Sequence, residues 1–387
     1  MRIYEMIVVG LGTVGSATCR ELARRGRSVL GLDAFRPPHD RGSHHGESRS
    51  IRRAYLEGTA YVPMALRAWE LWRQLERDTR QTLLTITGNL TIGPPEASAV
   101  TGFLASARTY AIPHAALTAA DVRRRWPPLA VPDAFAAGLE VEAGVIFPEP
   151  AVATLLAEAN RAGAALHVDE RVDSWSDHGD RVQVCTSRGK YEAGRLLLAA
   201  GAGTPKLLGD RGHALAPKRV PVHWVAPPTE RDYRLGTLPV SFWQLPAAGS
   251  MGAAGGREFY ALPVTRAGGR VKVAAHNHLA DCDPETMARE VAGNEAADVR
   301  GFLKKYLPAL ASRDTRSDVC LYTLTPDGEF ALGPLPGHVN VFAAALAGHG
   351  FKFAPVLGEM LADMLAGQPP AFDVDRFSLR RFDPGLT

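Results

Sequence analysis

Short apolar runs alternate with helical patterns along much of the chain, which is typical of an α/β fold. The first unit has an apolar strand at residues 6–9, a helix over 13–25 and a second apolar strand at 29–32. Gly26 is placed to end the helix. Because both strands are apolar on both faces, the unit predicts two parallel strands joined by a helix.

Later parts of the chain show the same alternation and one change of character. The pattern predicts helices over 61–76 and 149–161, a strand pair over 82–93 with a turn near Gly88, strands at 165–168, 182–184, 195–200 and 339–345, and a last helix ending near Leu365. Residues 94–144 contain two Pro-Pro pairs and short helical patterns, which indicates an insertion away from the α/β unit that begins the chain. Residues 220–319 predict a mostly antiparallel sheet with a polar helix near 284–306.

Composition narrows the class of protein. A hydrophobic content of 46% in 387 residues supports a large core. The formal net charge of +3 is small and spread along the chain, so we expect no nucleic-acid partner. No apolar run reaches the roughly 18 residues of a membrane span. The first strand begins too early to leave room for a signal peptide, so we expect a cytoplasmic protein with no membrane partner.

The four cysteines show no spacing typical of a zinc site, and we expect no metal. Cys19 and Cys185 lie in apolar patterns, so we expect buried, inert thiols. A cytosolic setting also argues against disulfides. Cys320 remains as the candidate for chemistry, although the residue pattern alone favours a buried structural cysteine.

A glycine-rich turn joins the first strand to the first helix, in the segment Gly10-Leu11-Gly12-Thr13-Val14-Gly15. Glycines allow a tight turn and close approach of a phosphate, and the helix N-terminus then faces that phosphate. Asp33 ends the second strand, where a carboxylate can bind a ribose hydroxyl. The motif predicts dinucleotide binding but does not separate FAD from NAD, and an ordinary βα turn is the alternative.

Several further motifs occur in order along the chain: Ser43-His44-His45-Gly46-Glu47-Ser48-Arg49, Ile51-Arg52-Arg53-Ala54-Tyr55, Tyr61-Val62-Pro63, Arg124-Arg125-Trp126-Pro127, Val319-Cys320-Leu321-Tyr322, Gly348-His349-Gly350-Phe351-Lys352-Phe353 and Phe377-Ser378-Leu379-Arg380-Arg381-Phe382. With them the chain resembles the family of monomeric sarcosine oxidases and N-methyltryptophan oxidases. The resemblance implies a Rossmann-like α/β FAD-binding domain (1–88, 148–219 and 320–387) and an α+β substrate domain with a mostly antiparallel sheet (89–147 and 220–319).

The resemblance also implies the cofactor and its attachment. It implies FAD, bound covalently through Cys320. A thiolate in a positive environment is the nucleophile that such an attachment needs. The residues expected to bind the cofactor are Gly10, Gly12, Thr13, Val14, Gly15, Asp33, Ser43, His45, Arg49, Val172, Gly201, Cys320, Gly348, Gly350, Phe351 and Lys352.

Six residues are expected to act on the substrate or on O₂: Arg52, Tyr260, Lys272, His276, Tyr322 and Lys352. The resemblance implies that Arg52 and Lys352 bind the substrate carboxylate and that Lys272 lies above the flavin and assists the reduction of O₂. From the residues alone, the charged side chains could be solvated surface groups, and Lys272 could lie on a solvated sheet face. His276, Tyr260 and Tyr322 could be hydrogen-bonded residues of the sheet or core.

The expected reaction is oxidation of an N-methyl amino acid of the sarcosine type, with hydride transfer to flavin N5 and release of H₂O₂. The alternatives are a cyclic imino acid oxidase acting on pipecolate- or proline-like substrates, a flavin-binding protein without turnover, and an NAD-linked dehydrogenase. The resemblance favours a monomer. Two departures from the family leave the substrate open: Gly203 stands where the family often has tryptophan, and residues 241–257 are only loosely similar.

Overall fold

A computed structural model of the chain describes residues 3–55, 58–246, 256–277 and 279–382. The strands in chain order are β1 (Ile3–Val9), β2 (Val29–Leu32), β3 (Arg49–Ile51), β4 (Leu84–Ile86), β5 (Asn89–Gly93), β6 (His114–Thr118), β7 (Ala136–Glu140), β8 (Gly144–Ile146), β9 (Ala165–His167), β10 (Val172–Asp177), β11 (Val182–Thr186), β12 (Gly189–Leu198), β13 (Ala216–Val225), β14 (Val240–Gln244), β15 (Glu258–Leu262), β16 (Val271–Ala275), β17 (Ala280–Asp281), β18 (Thr315–Leu324), β19 (Ala331–Pro334) and β20 (Val341–Ala345).

The α-helices are α1 (Thr13–Arg24), α2 (Val62–Thr79), α3 (Ser98–Thr109), α4 (Ala119–Arg125), α5 (Pro148–Arg161), α6 (Thr204–Leu208), α7 (Ala297–Tyr306) and α8 (Ala354–Leu365). Short 3-10 turns lie at Thr59–Tyr61, Gly201–Gly203, Gly209–Gly212, Pro308–Leu310, Phe351–Phe353, Asp375–Phe377 and Leu379–Phe382. No helix of the described residues is both long enough and apolar enough to cross a bilayer.

The first sheet has a parallel centre. β1 pairs in parallel with β12 on one side and β2 on the other, β9 extends the sheet beyond β2, and β20 pairs in parallel with β12. β10 and β11 add an antiparallel edge next to β12, and β19 pairs with β20. All four residues of β2 are buried, as expected for a strand covered on both faces.

Helix α1 packs against α5 and α8. The closest approach to α8 is at Gly358, where an added Cβ would lie 2.8 Å from the backbone carbon of Ala17. The glycine therefore lets the two helix backbones approach more closely than any larger residue would allow. This packing fixes the N-terminus of α1 relative to the carboxyl ends of the parallel strands.

The second sheet is mostly antiparallel. Its order is β17, β13, β16, β15, β14, β5, β7 and β6, with β18 also paired to β13; β14 and β5 form its parallel pair. Helix α7 covers this sheet, and Phe302 stacks on Phe259 at a centroid distance of 4.6 Å. The expected fold class, a Rossmann-like unit with a mostly antiparallel second sheet, is confirmed.

The strand pair predicted over 82–93 is wrong as a pair. β4 joins a small third sheet of order β3, β8, β4, whereas β5 joins the second sheet. Gly88 has a φ of +77°, and the turn there directs the chain from one sheet to the next instead of closing a hairpin. Gly144 permits the third sheet, since a Cβ there would lie 2.0 Å from the Thr85 carbonyl oxygen.

The polar helix predicted near 284–306 is confined to α7, its last ten residues. Before α7, backbone hydrogen bonds close isolated turns, such as the one from the Met287 N–H to the Asp283 carbonyl oxygen, and a side chain adds further bonds. The Arg219 guanidinium donates to the carbonyl oxygens of Ala288 and Glu290 over 3.0 and 2.6 Å. The expectation that Cys19 and Cys185 are both buried is half wrong, because Cys185 is partly exposed.

Candidate functional site

A cavity of about 1210 Å³ lies between the first and second sheets. One part of its wall is formed where β1, β2, β12 and β20 end, including Gly10, Asp33 and Ala200. Another part is formed by β14, β15 and β16, including Phe242 and Lys272. Ligands of parallel α/β sheets bind outside the carboxyl ends of the strands, which is where this cavity lies.

The glycine-rich turn has no room for side chains at two of its glycines. A Cβ at Gly10 would lie 2.4 Å from the Ala199 carbonyl oxygen, and Gly10 has a φ of +92°. A Cβ at Gly15 would lie 1.7 Å from the Gly10 carbonyl oxygen. Gly12 precedes α1 without a side-chain cap, so first-turn N–H groups are available to a phosphate. The cradle fits a dinucleotide pyrophosphate.

Asp33 lies at the cavity wall, where β2 ends. Its Oδ2 atom accepts a hydrogen bond from the Leu11 N–H over 2.8 Å, and its Oδ1 atom accepts one from the Phe35 N–H over 2.9 Å. These bonds hold the carboxylate beside the glycine-rich turn. A carboxylate in this position fits a ribose hydroxyl, which donates to it.

The thiol of Cys320 is buried beside a cation. The Arg49 Nη2 group donates to the Cys320 Sγ atom over 3.5 Å and to the carbonyl oxygens of Ser43 and His45. Burial acts to raise the pKa of the thiol, but Arg49, His45 and Lys272 outweigh burial and lower its pKa to about 6. Cys320 is therefore largely a thiolate at neutral pH, which is the nucleophilic form.

Lys272 is only 3% exposed, so its alternative placement on a solvated sheet face is wrong. Its Nζ group donates to the carbonyl oxygens of Gly46 and Ser48 over 2.9 and 2.8 Å, and lies 5.8 Å from the centre of the Trp224 ring. Burial and the neighbouring Arg49 lower its pKa well below the ordinary value for lysine. The side chain lies on the cavity wall.

Two cations meet at one aromatic ring on another part of the wall. The Arg52 guanidinium carbon and the Lys352 Nζ atom lie 5.3 and 5.2 Å from the centre of the Tyr55 ring. Both side chains are 7% exposed, so their alternative interpretation as surface charges is wrong. Lys352 Nζ donates to the His349 carbonyl oxygen over 2.7 Å, and Trp72 Nε1 donates to the Lys352 carbonyl oxygen over 2.8 Å.

Tyr260, Tyr322 and His276 form an aromatic part of the cavity wall. The His276 Nδ1 atom and the Tyr322 hydroxyl lie 3.3 Å apart, and the Tyr260 and His276 ring centres are 6.3 Å apart. Burial raises the pKa of Tyr260 to about 12. Burial, followed by the effect of Tyr260, raises the pKa of Tyr322 well above its usual range. Both hydroxyls therefore stay protonated at neutral pH.

Most of the other predicted cofactor residues also reach the cavity. Those on its wall are Gly10, Gly12, Thr13, Val14, Asp33, Ser43, Arg49, Val172, Gly201, Gly348, Gly350, Phe351 and Lys352. Gly15, His45 and Cys320 do not line the cavity but contact residues that do: Gly15 packs on Gly10, and the Arg49 guanidinium donates to His45 and Cys320. The cavity therefore brings together residues from both ends of the chain.

Phe242 and the segment that follows β17 are among the parts of the wall that were missed from the sequence. Phe242 lies 5.8 Å from the Arg52 guanidinium carbon and 5.7 Å from the His276 ring centre. Residues 282–285 and Arg289 also line the cavity. They were not predicted as site residues because a polar helix was expected near 284–306. Of the loosely similar segment 241–257, residues 247–255 lie outside the described residues.

Comparisons with known proteins identify the family. The sequence profile described as FAD dependent oxidoreductase matches residues 5–364. The chain is 36% identical to the monomeric sarcosine oxidase of Streptomyces avermitilis over 98% of this chain and 97% of the relative. It is 32% identical to the N-methyl-L-tryptophan oxidase of Salmonella agona, over 98% and 99% of the two chains.

Solved structures show the same fold. NikD, described as an unusual amino acid oxidase essential for nikkomycin biosynthesis, superposes with a TM-score of 0.84 at 25% identity, covering 98% of each chain. The L-proline dehydrogenase of P. horikoshii superposes with a TM-score of 0.83 at 21% identity over 99% of each chain, which concerns the fold alone. By its sequence profile and its full-length relatives, the chain belongs to the family of FAD-dependent oxidoreductases.

Proposed function

We propose that the protein oxidises an amino acid carrying a secondary amine, of the N-methyl type, with O₂ to an imine and H₂O₂. The observation that carries the proposal is the pair of buried cations, Arg52 and Lys352, on the wall of the cavity that begins at the glycine-rich turn. When bound, FAD would supply the chemistry of two-electron oxidation, with O₂ as the final acceptor. The names of the curated relatives support the same substrate class.

Arg52 and Lys352 would bind the substrate carboxylate. A guanidinium offers two parallel N–H donors and an ammonium adds a third, so together they orient one carboxylate. Their burial strengthens this interaction because little water screens it. Stacking against Tyr55 restricts where the two cations can point. Amines without a carboxylate would lack these charge-assisted hydrogen bonds and would bind poorly.

The amine would react in its neutral form, because only that form has a lone pair to drive cleavage of the C–H bond. The aromatic part of the wall suits a neutral amine. Tyr260 and Tyr322 keep their hydroxyl protons at neutral pH, so neither provides an anion that would hold the amine as an ammonium ion. His276 and the two hydroxyls remain as hydrogen-bond partners for orienting the amine.

Cys320 would attach the cofactor covalently. The lowered pKa of its thiol and the adjacent Arg49 guanidinium support this role, because an attachment of this kind requires a thiolate. Lys272 would present a positive charge where O₂ accepts electrons. Its burial and its place on the cavity wall support that role, because a developing anion is stabilised most by a charge that water does not screen.

The first experiment is an absorbance spectrum of the purified protein before and after acid precipitation. Flavin colour that stays with the pellet, and passes to the supernatant in Cys320→Ser, is the expected result. Flavin colour in the wild-type supernatant would contradict the covalent attachment but would leave the proposed oxidase activity standing. A colourless protein that requires nicotinamide would overturn the proposal.

A substrate panel with peroxide detection then defines the activity. N-methyl amino acids are expected to give peroxide faster than pipecolate- or proline-like acids. The opposite order would make the protein a cyclic imino acid oxidase, and no peroxide with any member would favour a flavin-binding protein without turnover. The two-domain ranges, the monomeric state and the cytoplasmic location stay predictions.

A further inference from the structure

The loop of residues 46–48 (the 46–48 loop) is held from two sides by groups of opposite charge. On one side, the Lys272 ammonium donates to the carbonyl oxygens of Gly46 and Ser48 over 2.9 and 2.8 Å. On the other side, the Glu149 Oε1 atom accepts from the N–H groups of Gly46 and Glu47 over 2.7 and 3.0 Å. The loop therefore connects Glu149 to Lys272 through consecutive peptide groups.

The geometry of the loop makes this connection specific. Gly46 and Glu47 both have a positive φ, +99° and +69°, and their N–H groups converge on a single carboxylate oxygen. A Cβ at position 46 would lie 3.3 Å from Lys272 Nζ, so Gly46 also allows the lysine to approach the backbone. Glu149 lies in the first turn of α5, where the helix N-terminus stabilises a negative charge.

Charges of both signs act on Lys272, and Glu149 is one of three negative groups. The charged groups that act on Lys272 are Arg49, Cys320, Glu149 and Glu47. Arg316 contacts the same Trp224 ring as Lys272. Glu47 is already paired with Arg316 over 2.8 Å. Glu149 bonds instead to two neutral N–H groups, so its charge is not cancelled in this way.

Attachment of the cofactor would change this charge balance. A thiolate that forms a thioether bond loses its negative charge, so Cys320 would stop favouring the Lys272 ammonium after attachment. Two cations, the buried Lys272 and the partly buried Arg49, would then depend on the carboxylates that remain. Of these, Glu149 has no arginine partner among its described hydrogen bonds.

We propose that Glu149 is a positioning residue for Lys272: its carboxylate fixes the 46–48 loop against the lysine and supplies a negative charge that favours the protonated lysine. This inference rests on the proposed role of Lys272 toward O₂. Burial and Arg49 lower the pKa of Lys272, and Glu149 acts against them. Removing the charge of Glu149 should therefore lower this pKa further, and the ammonium should be lost at a lower pH.

Glu149→Gln tests charge separately from position, because the amide keeps an oxygen that can accept from the same two N–H groups. In the holoenzyme, the rate of flavin reoxidation by O₂ is measured against pH by stopped flow. The alkaline limb of this profile should move to lower pH. At pH values above the limb, the rate should fall about tenfold for every pH unit by which the limb moves. Glu149→Asp, which keeps the charge, should restore most of the wild-type profile.

A second readout does not depend on turnover. The visible absorbance of the resting oxidised holoenzyme is titrated with base, since loss of a positive charge beside the flavin changes its spectrum. In Glu149→Gln, the midpoint of this absorbance transition should move to lower pH by the same amount as the alkaline limb of the reoxidation profile. Glu158→Gln is the matched control, because Glu158 lies on the same helix but pairs with Arg161 at the surface.

Lys272→Met separates failure of this inference from failure of the proposed function. Slow reoxidation in Lys272→Met with wild-type pH profiles in Glu149→Gln would overturn the role of Glu149 alone. Wild-type reoxidation in Lys272→Met would overturn the proposed role of Lys272 and, with it, the role of Glu149. If Glu149→Gln fails to fold, a wild-type profile in Glu149→Ala would overturn the inference, and an altered profile restored by Glu149→Asp would support it.

Discussion

The Arg49 guanidinium donates a hydrogen bond to the Cys320 Sγ atom over 3.5 Å, although 271 positions separate the two residues along the chain. Arg49 begins β3 of the small third sheet, and Cys320 lies in β18 of the second sheet. The same guanidinium donates to carbonyl oxygens of the segment that precedes it, so its position does not depend on the thiol. Its own backbone segment thus holds the guanidinium beside the thiol.

We expect the Cys320 thiol of FAD-free protein, produced in riboflavin-depleted cells, to ionise near pH 6 instead of near its ordinary pKa of 9.0. Arg49→Met should raise this pKa, because burial then acts with less opposition. Far-ultraviolet thiolate absorbance against pH, with Cys320→Ser subtracted, measures both values. A transition that stays near pH 6 in Arg49→Met would assign the lowered pKa to another group.

The carboxylate site gives a second prediction. Arg52→Ala should lower kcat/KM for a carboxylate substrate by about 10–100-fold, since a hydrogen bond to a charged group contributes about 1.5–3 kcal/mol. The carboxamide of the same amino acid, already a poor substrate, should lose much less. Steady-state peroxide formation with each pair of substrates measures the difference.

Lys352→Met should show the same selectivity, and Lys304→Met is the control because Lys304 lies on the exposed face of α7. If a variant loses kcat/KM equally for the acid and its carboxamide, the substituted residue does not bind the carboxylate. Comparing the two substrates is necessary because Arg52 and Lys352 also pack on Tyr55. Loss of packing alone would lower kcat/KM equally for the acid and the carboxamide.

Local sequence patterns predicted much of the parallel sheet and the residues at its cofactor-binding edge. The β1 strand, the glycine-rich turn, α1 and Asp33 follow from local periodicity and turn chemistry, and the structure places them together at one edge of the sheet. The burial of Lys272 was not predictable from its own strand, because an alternating pattern does not show whether the second face is covered. The loop bearing Gly46 covers it.

Two errors in the fold have a common cause. β4 and β5 read as a hairpin because each is short and a glycine lies between them, and their actual partners, β8 and β14, are distant in sequence. The sequence pattern before α7 predicts a helix, but the Arg219 guanidinium of β13 donates hydrogen bonds to two carbonyl oxygens of this segment. In both cases a long-range partner determined the backbone, and a single sequence does not show such partners.

Two glycines in helices should respond oppositely to substitution by alanine. Gly358→Ala should destabilise the protein by about 1–3 kcal/mol, because the new Cβ would force α8 away from the Ala17 backbone. Gly301→Ala in α7 should stabilise it by about 0.5–1 kcal/mol, because nothing lies within 4 Å of the new Cβ and alanine favours the helix. Denaturant unfolding measures both, and a neutral Gly358→Ala would contradict the close approach.

Acid should destabilise the protein partly through His223. This side chain is 1% exposed in β13, and its Nδ1 atom lies 2.7 Å from the Ser317 Oγ atom. Burial, followed by the charge of Arg300, lowers its pKa from 6.5 to about 4. Between these two pH values the unfolded chain binds a proton that the folded chain does not bind. The free energy of unfolding therefore falls as the pH falls through this window, by at most about 1.4 kcal/mol per pH unit for one proton.

His223→Gln keeps a hydrogen-bond partner for Ser317 and removes the titration, so its stability should fall less steeply between pH 6.5 and pH 4. Urea unfolding at a series of pH values measures the slope for each protein. The control is His213→Gln, because His213 is exposed and its variant should follow the wild-type slope. Parallel slopes for His223→Gln and wild type would mean that His223 takes up its proton equally in both states, and the acid sensitivity would then have to come from other buried groups such as His44, whose pKa burial lowers to about 3.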